Sequence, residues 1–199
     1  MPPVCLATED SLSEAVGYRL LAEVSPDFEV GLTFRRNGFG YLKTNIEKFC
    51  NVAQRSPLLL ITDLDKAQCA AALISKWMGA RTHPEKLVFR VAVREIEAWL
   101  LADHVGMEKL LVAGATKLPK DPDLLLDPKQ VLLKFASKAP RAVQNDLLVE
   151  PGAIASQGLG YNQRMGDFVR NTWDPKRAAL CSDSLCRTLN RLRQTAKRF

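Results

Sequence analysis

The sequence predicts an α/β protein, a mainly parallel sheet flanked by helices and followed by a C-terminal helical extension. Three observations predict it. Apolar runs of strand length alternate with helical stretches through the first half of the chain. Two of those runs, 58–62 and 87–93, are almost continuously apolar, as central strands buried on both faces are. Beyond Lys117 no further strand-like run follows, and Pro119, Pro122, Pro128, Pro140 and Pro151 cut the chain into short helical pieces.

Each element has its own local reason. Residues 4–7 are a short apolar run and form the first strand. A helix follows over 11–24, with Leu12, Ala15, Val16, Leu20 and Val24 on one side and Asp10 or Ser11 as N-cap. The alternation in 28–34 predicts the second strand. Asn37-Gly38-Phe39-Gly40 then turns the chain into a helix over 41–53. Pro57 opens the third strand, which runs into Asp63-Leu64-Asp65. A helix over 68–78 leads to the fourth strand, and a continuous helix is expected over 95–111. Further helices are expected over 129–139, 142–148 and 162–171, and a last one is capped by Ser182 or Asp183. The chain thus divides into an α/β core over 1–112 and a basic helical extension over 113–199 packed on it.

Composition narrows the class. With 199 residues, 47% apolar and 25% charged, the chain has ordinary globular composition and enough apolar residues to need no disulfide or metal staple. No run approaches the roughly 18 uncharged apolar residues of a membrane span. The opening Met1-Pro2-Pro3-Val4-Cys5 has no basic segment, and Glu9 and Asp10 soon interrupt its apolar stretch, unlike a signal peptide. Cys5, Cys50, Cys69, Cys181 and Cys186 make no CxxC pair, so reduced thiols and a soluble cytoplasmic protein are expected. Cys181 and Cys186 read as buried small hydrophobes, and Trp77, Trp99 and Trp173 as core. His83 and His104 lack zinc spacing, and no phosphate-binding glycine loop is present.

The net charge of +6 is unevenly spread. Residues 1–105 carry 12 basic and 13 acidic side chains, whereas 106–199 carry 16 and 9. From Arg187 onward come Arg191, Arg193, Lys197 and Arg198 with no acid. Such a stretch is either a face toward a polyanion such as nucleic acid or a solvated terminal helix, and charge alone leaves both open.

In an open parallel sheet, ligands bind outside the carboxyl ends of the strands. Those ends carry Glu9 and Asp10 after strand one, Asp63 and Asp65 after strand three, and Glu95 and Glu97 after strand four. Six converging carboxylates repel one another unless a cation neutralises them. Hard oxygen donors from several loops suit Mg²⁺ or Mn²⁺. On an extended segment, side chains two apart point the same way, so Asp63 and Asp65 are expected to reach one ion together. Plainer roles stay open, with Asp65 as a helix cap and Glu9 as an acid facing a helix dipole. In the segment from Arg94 to Asp103, spacing puts Glu95, Trp99 and Asp103 on one helical face and Glu97 on another.

These residues carry a resemblance. Glu9 after strand one, Asp63-x-Asp65 after strand three and a glutamate after strand four resemble the Toprim domain, the magnesium-binding core of topoisomerases, primases and overcoming-lysogenization-defect nucleases. The segment RVAVREIEAWLLAD (90–103) is similar to the hallmark of a Toprim-like bacterial family, domain of unknown function 4276. The likeness continues through DPKQVLLKF (127–135), LGYNQRMGDFV (159–169) and RAALCSDSLCRTLNRLR (177–193). Two departures stand out. Relatives usually carry a Glu-Gly pair after strand one, where this chain has Glu9-Asp10, and often a lysine about two residues after the tyrosine, where it has Tyr161-Asn162-Gln163-Arg164.

The resemblance implies a Toprim/Rossmann-like core and a Mg²⁺- or Mn²⁺-dependent nuclease. Asp63 and Asp65 would be the principal metal ligands, Glu9 a ligand or general base, and Glu97 a ligand to a second metal with Glu95 as its alternate. Lys129, Lys134, Lys138, Arg141, Arg164 and Arg191 are the candidate phosphate contacts. The expected partners are nucleic acid, DNA first, an ATPase subunit and a further copy of the chain, with no membrane, in a setting of bacterial anti-phage defence. The alternative is a catalytically degenerate module that binds nucleic acid or a partner protein. A receiver-like phosphoacceptor ranks third, because it needs paired acids after strand one and a lysine after the last strand.

Overall fold

The computed structural model describes residues 3–25, 28–35, 40–112, 117–149 and 155–197. Among them, β1 (Val4–Thr8), β2 (Val30–Arg35), β3 (Leu58–Asp63) and β4 (Leu87–Ala92) form one sheet in the order β2-β1-β3-β4. Each neighbouring pair is parallel, and the β1–β2 register shifts between Val4 and Leu6. Helices flank the sheet in a Rossmann-like α/β arrangement. The Asn37-Gly38-Phe39 part of the expected turn lies outside the described residues, and Gly40, at φ 91°, ends it in the left-handed region that favours glycine.

Alternating side chains divide the sheet between two cores. Val4, Leu6, Leu59, Ile61, Val88 and Ala92 face one, together with α1 (Ser11–Val24), α5 (Ile96–Leu101) and α6 (His104–Leu111). The same core takes in α7 (Pro128–Ala136), α8 (Arg141–Leu147), α9 (Tyr161–Asn171), α10 (Pro175–Ala178) and α11 (Asp183–Ala196). Cys5, Ala7, Leu58, Leu60, Leu87, Phe89 and Val91 face the other, covered by α2 (Tyr41–Thr44), α3 (Ile46–Arg55) and α4 (Ala70–Met78). The second half of the chain therefore shares one of the two helical layers with α1, α5 and α6. Trp99 and Trp173 sit fully buried in it, with both indole N–H groups satisfied: Trp99 donates to Ser184 Oγ at 2.7 Å and Trp173 to the Trp99 carbonyl at 3.1 Å.

The structure changes several expectations. β4 is an edge strand, and its continuous apolar character comes from cover: α11 packs against it, with Arg90 Nε donating to Thr188 Oγ1 at 3.2 Å. The helix expected over 41–53 breaks at Asn45, whose side-chain amide donates to the Tyr41 carbonyl at 2.8 Å. The helix expected over 95–111 breaks at Ala102–Asp103, because Asp103 caps the next helix by accepting from the Gly106 N–H at 3.1 Å. Trp77 is partly exposed rather than core, as are Cys181 and Cys186. No helix among the described residues is long and apolar enough to cross a membrane.

Candidate functional site

The chain leaves β1 to one side for β2 and to the other for β3, so the crevice between the carboxyl ends of β1 and β3 is the sheet's topological switch point. Glu9 and Asp63 flank it. Thr62 Oγ1 donates to Glu9 Oε1, and the Asp63 N–H approaches the same oxygen at 3.4 Å. These bonds tie the two strand ends together and leave Glu9 Oε2 without a described donor. Burial pushes the Glu9 carboxyl above its usual range, the two hydrogen bonds oppose that, and Asp65 and Asp10 add repulsion.

Asp63 closes β3. No described residue donates a hydrogen bond to its carboxylate, nor to that of Asp65. Burial holds the Asp63 carboxyl well above the ordinary aspartate range, reinforced by repulsion from Glu97, Glu9, Asp10 and Asp65. The expected extended Asp-x-Asp ends at Asp63. Leu64 is buried and Asp65 turns left-handed at φ 48°, so shared strand direction does not explain how both acids come to line one cleft. A reciprocal clamp does. The Asp65 N–H donates to the Arg94 carbonyl at 2.9 Å, and Arg94 Nη1 donates back to the carbonyls of Asp65 at 2.8 Å and Ala67 at 3.3 Å. Arg94 is itself left-handed at φ 63°, a conformation costly for a residue with a Cβ. Its guanidinium is thus committed to carbonyls rather than to the neighbouring carboxylates.

The acids after β4 are partnered from the helical layer. Glu95 Oε2 accepts from the Lys129 N–H at 3.0 Å, at the start of α7. Glu97 is 4% exposed in the first turn of α5, and Tyr161 donates its phenol proton to Glu97 Oε1 at 2.8 Å. Lys129 Nζ lies 4.0 Å from that oxygen and 5.0 Å above the Tyr161 ring. Burial lifts the Glu97 carboxyl to about 7, against the lowering pull of Lys129 and Tyr161. The same surroundings hold the Tyr161 phenol well above its normal range.

At the ends of β1, β3 and β4 opens a cleft of about 970 Å³, which Glu97, Tyr161 and Lys129 do not line. Its acidic lining is Glu9, Asp63, Asp65, Glu95 and Asp127, and its basic lining is Lys43, Lys66, Lys76 and Arg94. Asp10 turns away to cap α1, accepting from the Ser13 N–H at 2.8 Å. Asp103 lies on another helix from Glu95 and pairs with Arg177 at 2.7 Å, so the expected shared face does not form. Of the six expected phosphate contacts, Lys129 belongs to the Glu97 cluster, and Arg164 Nε pairs with Asp146 at 2.7 Å. Lys134, Lys138 and Arg141 are exposed, and none of them lines the cleft. Arg191 lies near Arg90 and Arg187 on the β4 side of the molecule. Sequence reasoning missed Tyr161, Lys43, Lys66, Lys76 and Trp77 as site residues. Tyr161 does stand in the 159–169 segment of the resemblance, which was the one signal pointing to it.

Among the described residues, no three His, Cys, Asp or Glu side chains form a ready-made metal cage. The donor set nonetheless fits Mg²⁺, which is commonly bound through one or two carboxylates, with waters and substrate phosphates completing its shell. Compared with known protein families, curated proteins and solved structures, the chain gives no match.

Proposed function

We propose that the chain is a Toprim-type nuclease that hydrolyses phosphodiester bonds of nucleic acid with Mg²⁺ or Mn²⁺ in this cleft. One observation carries the reading. Asp63 and Asp65 line the cleft at the switch point with no described hydrogen-bond donor on either carboxylate, while Nη1 of Arg94, which also lines the cleft, donates to backbone carbonyls. Asp63 and Asp65 would hold the ion. A divalent metal there supplies charge neutralisation on the phosphoryl oxygens and activation of water for in-line displacement.

The chain's own groups do the rest. Glu9 Oε1 is fixed by Thr62, which leaves Oε2 to take the proton of the attacking water as the new P–O bond forms and the bond to the leaving sugar oxygen breaks. Its upward-shifted carboxyl suits a general base better than an ordinary glutamate. Tyr161 and Lys129 fix the Glu97 carboxylate behind the floor and hold its orientation. Action beside an ATPase subunit in anti-phage defence is the setting that the family resemblance implies.

A second reading, a degenerate module that binds without cutting, draws on the fact that Glu95 and Glu97 are already partnered by Lys129 and Tyr161. The deciding experiment is cleavage of supercoiled DNA, single-stranded DNA and RNA in Mg²⁺, Mn²⁺ or EDTA, with Asp63→Ala/Asp65→Ala beside the wild type. Metal-dependent cutting that falls about 100-fold or more in the variant is the expected result. Equal cutting by both proteins, or no cutting with any metal, overturns it.

A further inference from the structure

We propose that the cleft takes a single strand of nucleic acid, with Trp77 stacking on an unpaired base and Lys43, Lys66 and Lys76 holding its phosphates. The inference rests on the reading of the cleft as a phosphodiester site, and it names both the form of the substrate and the face along which it runs.

Trp77 differs from the other tryptophans. Trp99 and Trp173 are 0% and 1% exposed, whereas Trp77, near the end of α4, is partly exposed and lines the cleft. Its ring rests on Phe89 of β4, with centroids 5.4 Å apart and planes at 48°, so the indole is held in place before any ligand arrives. A fixed aromatic face beside a cationic groove is how proteins bind single strands regardless of sequence, because every unpaired base presents a π-face. A duplex keeps those faces inside its own stack.

The cations stand where such a strand needs them. Lys43 on α2, Lys66 after β3 and Lys76 on α4 are all exposed and line the same cleft as Trp77. None of their ammonium groups has an ion-pair or hydrogen-bond partner among the described residues. Glu9, Asp63 and Glu95 are half-buried at the strand ends and disfavour phosphate there unless a cation is bound, whereas Asp65 and Asp127 are exposed like the lysines. Phosphates therefore bind along the lysine side, on the layer of α2 to α4, opposite the layer that carries the basic C-terminal half. Ribose and deoxyribose strands share this chemistry.

The test uses the full-length protein in EDTA with four short labelled probes: oligo(dT), oligo(U), an abasic strand of the same length and a DNA duplex. Oligo(dT) is expected to quench tryptophan emission in the wild type, and Trp77→Phe is expected to remove that quench. Trp77→Ala should weaken oligo(dT) binding about tenfold and leave the abasic strand unchanged. Should Trp77→Ala lose its fold with the Phe89 contact, the exposed triple variant Lys43→Ala/Lys66→Ala/Lys76→Ala decides. It should lower the slope of log affinity against log salt by about 2, as three lost single-strand phosphate contacts do. Comparing oligo(U) with oligo(dT) tells which sugar is preferred.

Duplex binding as tight as oligo(dT), or wild-type binding by both Trp77→Ala and the triple variant, overturns the inference. The two readings fail separately. Trp77-dependent single-strand binding without cutting sustains the strand path and sinks the nuclease, while Asp63-dependent cutting with Trp77-independent binding does the reverse.

Discussion

Asp63 closes β3 and Asp103 caps α6, and the fold treats these two inward-facing acids in opposite ways. Asp103 is fully buried and receives four donors. Arg177 Nε reaches Oδ1 at 2.8 Å and Nη2 reaches Oδ2 at 2.7 Å, while the N–H groups of Gly106 and Asp174 approach at 3.1 and 2.8 Å. A Cβ at position 106 would collide with this carboxylate, so the seat itself requires glycine. Asp63 receives no described donor and has Glu97, Glu9, Asp10 and Asp65 acting against its charge. The difference separates structural from available carboxylates. Asp103 has protein donors on both oxygens, whereas the carboxylate of Asp63, half-buried in the cleft, has none among the described residues and stays available to water or to a ligand.

The largest way to break this comparison is Asp103→Ala. It removes the buried partner of Arg177, which keeps only Asp174 and the Thr172 carbonyl, uncaps α6 and orphans the Asp174 N–H, so unfolding in urea should show a loss of about 3 kcal/mol or more. A loss below about 1 kcal/mol would mean that the Asp103 seat is not what joins α10 to the α5–α6 corner, and the contrast with Asp63 would lose its meaning.

Glu97 sharpens the comparison because it stands between the two extremes, buried and hydrogen-bonded but only partly compensated. Its carboxyl shifts from the ordinary 4.5 to about 7 on folding. Between those values the folded protein keeps a proton that the unfolded chain has released. Stability is therefore fully present below about pH 4.5, falls as pH rises through the window, and levels off above about pH 7. One pKa unit corresponds to about 1.4 kcal/mol, so the fall due to Glu97 is roughly 3 kcal/mol. Asp63 is shifted in the same direction and steepens it. Glu97→Gln, which keeps an acceptor for Tyr161 and carries no charge, should lower the slope in thermal melts from pH 4.5 to 8 and leave the part that Asp63 contributes. An unchanged slope in that variant would place the titrating group elsewhere.

Much of this was legible in the sequence, and the part that was not has a physical reason. Strands β1, β3 and β4 follow from apolar runs, and their following acids had to meet because parallel strands all end on one edge. The Asp-x-Asp conformation was not legible, since the left-handed turn at Asp65 depends on Arg94, 29 residues away. The Glu97–Tyr161 bond joins residues 64 apart and exists only because α9 packs in the layer with α5. β4 looked central because apolar character reports burial, and burial by α11 is indistinguishable in sequence from burial by another strand. Charge misled for a related reason. The count of basic residues in the second half is high, yet Arg164 and Arg177 are consumed by Asp146 and Asp103, while three lysines from the balanced first half line the cleft.

That last contrast gives the smallest expected effect. Lys134, Lys138 and Arg141 sit on or beside α7 and α8, exposed and outside the cleft lining. Single alanine substitutions there should change stability by no more than about 0.5 kcal/mol, since no buried partner is lost. They should also leave the salt dependence of single-strand binding as it is, because a charge that touches no phosphate releases no counterion when the strand binds. A slope that falls by about 0.7 per substitution would mean that each one does touch a phosphate. The strand would then continue from the cleft across α7 and α8, and both helical layers would share its grip.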